Sequence, residues 1–234
     1  KGDRTAAIES LTRAIELAEP VLAHPEFGDQ ASTAYLFALL DLGETLMEPA
    51  TAEQCLDVFM RALQACEDRF ERAPLDCAAH NIYSGVSWSA VRLLLWLGRP
   101  DEANAIVNRA AERLPPFDPA LQASPDNGGN TMSCTYYVGT LLGHVGRFDE
   151  AELAFARAFA DFEALLANLP SPSPWDVDYG VSHRHHALMR LRAGNPRGAI
   201  DAARESLAIL ARAQRARPNY RPLEHIIIDT RLVL

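Results

Sequence analysis

Lysine is all but missing from these 234 residues: Lys1 is the only one, and Arg supplies every other strong base. Acidic residues outnumber basic ones 31 to 22, for a formal net charge of -9. A general grip on nucleic acid needs a surplus of Lys and Arg over phosphate, so that function class is excluded. No apolar run is long enough to span a membrane, and no basic, apolar, small-residue leader opens the chain. Membrane contact by this region is therefore not expected. Cysteine is scarce as well. Cys55, Cys66, Cys77 and Cys134 form neither a C-x-x-C pair nor a dense disulfide pattern, so buried, reduced thiols are expected. A reducing, cytoplasmic setting fits that pattern, with a periplasmic one left open should a membrane span precede Lys1. The start at Lys1, without Met and already inside a repeat, points to a fragment of a longer protein.

Strand signals are also lacking. No run alternates Val, Ile or Thr, and the HIII stretch at His225 to Ile228 sits inside a helical pattern. Catalytic signatures are absent too: there is no H-E-x-x-H, no phosphate-binding Gly-rich loop and no Ser in a nucleophile elbow. The nearest approach to a metal site is VSHRHHALMR. His183 and His186 lie one helical turn apart, with Asp176 and Asp178 just upstream. Two imidazoles at that spacing can share a metal. Both His fall on positions that pack between helices, however, so a structural role is expected and no metal or cofactor is assigned. Carboxylate pairs such as Asp101-Glu102 and Asp149-Glu150 sit where they suit a helix N-terminus.

What the chain has instead is repetition. GRFDEAELAFARAFADF from Gly146 echoes GRPDEANAIVNRAAERL from Gly98, 48 residues earlier. The same offset reaches GNPRGAIDAARESLAIL from Gly194, ATAEQCLDVFMRALQAC from Ala50 and GDRTAAIESLTRAIELA from Gly2. Arg-Ala pairs fall at Arg13-Ala14, Arg61-Ala62, Arg109-Ala110 and Arg157-Ala158, with Glu205-Ser206 in the last copy. Small residues keep one column at Ala7, Cys55, Ala103, Ala151 and Ala199, and another at Gly43, Val91, Gly139 and Ala187. A fixed period of this size is the mark of stacked repeats.

Each period carries two stretches with apolar residues at three- and four-residue intervals, so each is a helix pair. Helices are expected over 3–23, 30–48, 51–72, 77–97, 101–114, 130–145, 149–168, 176–193, 197–216 and 221–233. Prolines mark the ends of the second helices near Pro25, Pro74, Pro170 and Pro218. That gives helix pairs at about 30–73, 77–114, 130–168 and 176–216, with a half repeat at each end. The stretch PPFDPALQASPDNGGN, Pro115 to Asn130, interrupts the pattern with turn chemistry at Asn127 to Gly129. The register continues across it, so 1–234 reads as one repeat domain.

Gly146, Phe148, Ala151 and Ala158, matched by Gly98, Pro100, Ala103 and Ala110, with a small residue seven before each Gly, resemble the tetratricopeptide repeat. The resemblance runs along essentially the whole chain. It departs in period, 48 residues against the usual about 34, and in lacking the early Trp of the first helix, where Leu39, Ser87, Thr135 and His183 stand. RAIELAEPVLAHP and FMRALQACEDRFERAP look like long-period arrays that follow bacterial serine/threonine protein kinases; similar arrays follow bacterial transcriptional-regulator domains.

The resemblance implies an all-α, right-handed superhelical solenoid of antiparallel helix pairs whose first helices line a concave groove. On that template the groove residues are Leu40, Asp41 and Glu44, then Trp88, Ser89 and Arg92, then Tyr136, Tyr137 and Thr140, then Arg184, His185 and Leu188. Aromatic and Arg side chains on a rigid face are the kind that dominate interface energetics. Trp88 or Tyr136 packed between neighbouring first helices is the alternative. Charge also runs along the chain: Glu26 to Asp76 holds eleven acidic and three basic residues, Asp176 to Arg221 four acidic and nine basic. The expected function is a non-catalytic scaffold that binds a protein or extended peptide within a larger signalling protein. The alternatives are a sensor that takes a small molecule or short peptide and controls an attached domain, and a self-associating arm.

Overall fold

The computed structural model describes residues 3–24, 27–74, 76–113, 136–167, 169, 171, 173, 175–216 and 222–232. Every regular element among them is helical. The chain divides into two compact units, Lys1–Arg113 and Leu114–Leu234. The expected interruption at 115–130 lies outside the described residues, as do the expected stops at Pro25, Pro170 and Pro218.

The first unit holds α1 (Arg4–Ala18), a 3-10 turn (Glu19–Val21), α2 (Gly28–Thr45), a second such turn (Pro49–Thr51), α3 (Ala52–Arg72), α4 (Cys77–Trp96) and α5 (Pro100–Arg113). Two starts are capped by carboxylates: Asp3 accepts from the Thr5 and Ala6 amides, and Asp76 from Ala79. α1 stops short of the expected 3–23. Pro20 has no amide to continue the helical ladder, so the chain tightens into a 3-10 turn there. Each helix packs on the next, and α2 also meets α4. The buried stripe of α3 is Cys55, Leu56, Phe59, Ala62, Leu63, Cys66 and Phe70; α5 contributes Ala103, Ile106, Val107 and Ala110. These residues are what three- and four-residue spacing places on one helix face.

The second unit holds α6, helical over 136–144, then α7 (Phe148–Leu166), α8 (Asp176–Arg192), α9 (Pro196–Ala216) and α10 (Pro222–Arg231). α8 packs on α7 and α9, and α10 on α9 and α8. Phe155, Phe162, Ile209 and Leu210 are fully buried in it. The HIII stretch lies in α10, as a helix.

Close approach explains the small residues. A Cβ on Gly43 would lie 2.3 Å from the Phe59 ring, and one on Gly139 would lie 2.8 Å from the Phe155 ring. Val91 and Ala187, the other members of that column, are completely buried. In the second column Cys55, Ala103, Ala151 and Ala199 are buried, but Ala7 is exposed. Ala7 instead lines an open hollow shared with Asp41, Glu44 and Thr45 of α2. Ala14 is exposed as well, while Ala62, Ala110, Ala158 and Ser206 are buried.

Gly98, Gly146 and Gly194 each follow a helix with φ of 72°, 83° and 74°. The left-handed conformation lets the Arg99, Arg147 and Asn195 amides reach back to the Leu94, Leu142 and Arg190 carbonyls at 2.8 to 2.9 Å. These bonds satisfy carbonyls that a helix end leaves open.

Candidate partner-binding faces

The two units present their expected site residues separately. In the first, α2 carries half-buried Leu40 and exposed Asp41 and Glu44, while α4 carries half-buried Trp88 and exposed Arg92. The Arg92 guanidinium lies 4.5 Å from the centre of the Trp88 ring, a cation–π arrangement. The Glu44 carboxyl is pushed up by burial and by the Asp41 charge, against a pull from Arg92. Asp41 and Glu44 also edge an open hollow with Ala7, Ser10, Leu11 and Thr45, between α1 and α2. Ser89 points elsewhere and is 1% exposed.

In the second unit Tyr136 and Tyr137 stack with ring centres 4.7 Å apart, and His185 lies 5.5 Å from Tyr136. Tyr136 is 4% exposed and Thr140 5%, with the Thr140 hydroxyl donating to the Tyr136 carbonyl at 2.9 Å. Tyr137, Arg184, His185 and Leu188 are half-buried. Arg184 approaches Asp229 at 3.6 Å. Burial first, then the positive charge of Arg184, His144 and Arg192, pull the His185 imidazole down to about 3.

Three members of the expected set, Ser89, Tyr136 and Thr140, are thus corrected to packing positions. Spacing within one helix does not encode that burial; for Tyr136 it comes in part from Tyr137 on the same helix and His185 on α8. Tyr136 follows the alternative, packing among rings.

The His cluster is packed. His183 stacks on Phe159 at 4.1 Å, and His186 donates to Glu152 at 2.8 Å. Asp176 accepts the Ser173 amide at 2.7 Å. Burial pulls His183 down to about 4 and pushes the Asp178 carboxyl up to about 6. Among the described residues no three His, Cys, Asp or Glu side chains gather as metal ligands would. Cys55 and Cys66 are buried free thiols, pushed up to about 11 and about 12 by that burial. Cys134 and the Cys77 side chain lie outside the described residues.

One recurring device escaped the sequence reading. The Tyr35 hydroxyl donates to Glu19 at 3.3 Å, that of Tyr83 to Glu67 at 3.1 Å, and that of Tyr179 to Glu163 at 3.2 Å. In the first copy Arg61 donates to the Tyr35 hydroxyl at 2.9 Å and pairs with Glu19; in the second, Arg109 lies 3.7 Å from Glu67. In these two copies the clasp joins three helical elements. Its signal is legible in retrospect as Glu and Tyr recurring in register, 48 residues on at Glu67 and Tyr83 and a further 96 on at Glu163 and Tyr179, with Pro115 and Thr131 at the positions between. Arg109 is therefore tied to Glu67.

No protein-family model matches this chain, and no curated protein matches it. Among solved structures it is similar to BtubC (BKLC) from P. vanneervenii, at 14% identity and a TM-score of 0.37, with 94% of each chain covered. A likeness that loose does not bear on function. No described helix is long and apolar enough to cross a membrane.

Proposed function

We propose that this chain is a non-catalytic scaffold that binds a protein or extended peptide. On this reading it is a tetratricopeptide-like solenoid of helix pairs with a 48-residue period, serving a larger signalling protein. Three features support the repeat reading: left-handed glycines at Gly98, Gly146 and Gly194, buried small columns, and clasps that recur at one and then two periods of 48 residues. Tetratricopeptide relationship, kinase association and groove are parts of the proposal.

The observation that carries the binding reading is the α2/α4 face. Trp88 stands on a rigid helix with Arg92 across its ring and two exposed carboxylates, Asp41 and Glu44, on the neighbouring helix. Flat and guanidinium side chains held in place by a scaffold bind with little loss of freedom. To test it, a protein that co-purifies with the full-length chain is titrated against wild type, Trp88→Ala with Arg92→Glu, and Arg157→Glu. Arg157 is exposed on α7 and serves as the control. The double variant is expected to lose roughly tenfold in affinity or more, about 1.4 kcal/mol, with its helical signal intact. Normal binding by the double variant would remove this face from the proposal.

A further inference from the structure

In the first unit α3 and α5 leave between them a cleft of about 270 Å³. Leu56, Leu94 and Ile106 form its floor and are 4%, 1% and 2% exposed, while Met60 in its wall is 38% exposed. Charges ring it. At one end Arg99 donates to Glu102 at 2.6 and 2.7 Å and to Glu53 at 3.1 Å. At the other, Arg109 lies 3.7 Å from Glu67. The rim's two cations are thus held by the unit's own carboxylates. Asp57, exposed on the turn of α3 that carries Leu56, forms no ion pair among the described residues.

Such a cleft is not forced by helix packing. Ninety-six residues on, Glu152 and Arg190 stand where Leu56 and Leu94 stand here, and they bond to each other at 2.7 Å with His186 added at 2.8 Å. In the first unit the corresponding side chains are apolar and buried, no ion pair spans the space above them among the described residues, and Met60 beside them is exposed.

We propose that the α3/α5 cleft docks a short amphipathic helix from a partner protein, which sets an apolar side chain against Met60 and Ile106 and a Lys or Arg beside Asp57. Its volume falls just below the roughly 300–1,000 Å³ typical of small-molecule pockets, enough for one or two side chains. The walls are helices whose amides are already bonded within themselves, so no edge exists to accept an added strand, and a helix is the segment that fits. Charge complementarity chooses the cation. Met60 supplies the adaptable contact that methionine gives a binding surface. The cleft lies on α3 and α5, away from Trp88 and Arg92, so this proposal stands apart from the scaffold reading above.

The probe is a labelled peptide with Leu at helical spacing and Lys between, against a counterpart carrying Glu for Lys. Both are titrated into the full chain by fluorescence anisotropy. The Lys peptide is expected to bind at least roughly tenfold more tightly, and to move the methyl resonance of Met60 while leaving that of Met47 in place. Ala105→Phe fills the cleft from an exposed position, and Asp57→Lys reverses its charge; each is expected to weaken binding roughly tenfold. Asp149→Lys makes the same change in net charge on exposed α7 and is expected to leave binding unchanged, as is Trp88→Ala. Circular dichroism checks that each variant stays helical. Equal affinity for the two peptides, no binding of either, or full binding by Ala105→Phe would overturn the proposal. Loss on Asp149→Lys equal to that on Asp57→Lys would reduce it to general attraction. A concentration-dependent dimer abolished by Ala105→Phe would assign the cleft to a second copy instead.

Discussion

At Gly43 the missing side chain is the point of contact: the Phe59 ring occupies the space a methyl group would need, and Gly139 stands in the same relation to Phe155. Gly43→Ala and Gly139→Ala are each expected to lower unfolding free energy by about 1–3 kcal/mol through overpacking, measured by urea denaturation. Gly85→Ala is the comparison, since nothing lies within 4 Å of its added Cβ. Helix propensity alone would make Gly85→Ala a gain, so a loss there equal to that at Gly43 would mean that close approach does not govern these sites. The small columns were legible in the sequence because only small residues recur where helices meet closely. Ser89, Tyr136 and Thr140 were not, since the position along one helix does not fix how deeply a residue is buried. Trp88 and Arg92 were legible as residue types, but their stacking was not.

Among the elements, boundaries followed the sequence wherever a glycine or a capping carboxylate marked them, as at Asp76 and Gly98. They failed at Pro20, whose missing amide outweighed a helical pattern that continues past it. The Tyr clasp was illegible for a different reason. Glu67 and Tyr83 lie 16 residues apart on separate helices, and Arg109 on a third, so no single helical face contains them. The Tyr83 phenol is held well above its ordinary range, first by burial and then by the Glu67 charge, which marks the hydroxyl as a committed donor. Glu67→Ala leaves that buried hydroxyl without an acceptor and is expected to cost about 1–3 kcal/mol; Tyr83→Phe removes the donor and is expected to cost only about 0.5–1.5 kcal/mol. Adding Tyr83→Phe to Glu67→Ala should then cost little more than Glu67→Ala alone, because the two residues act as one unit. Fully additive losses in thermal or urea unfolding would show that they act independently.

For the whole molecule, the division after Arg113 makes a prediction of its own. The first unit contains its caps at Asp3 and Asp76, two clasps and a continuous set of buried residues from Ile15 to Ala110. Residues 1–113 expressed alone are expected to be helical by circular dichroism and to unfold in one cooperative thermal transition. An unstructured or aggregated fragment would show that compactness in space is not autonomy in folding. The sequence reading, which followed an unbroken register, offered no reason to expect the division. Nothing in a repeat pattern records how densely contacts cross from one copy to the next.

The turns after α4, α6 and α8 have one more consequence. A Cβ added at Gly98, Gly146 or Gly194 would meet nothing within 4 Å, so room is not what keeps these residues glycine. The requirement is handedness: an L residue held at that φ is strained by roughly 1–2 kcal/mol, whereas its mirror image is at ease. In a chemically assembled chain, D-alanine would suit all three joints, and it would narrow the unfolded ensemble that glycine leaves broad. The joints are thus selective for stereochemistry while indifferent to bulk, the reverse of Gly43 and Gly139.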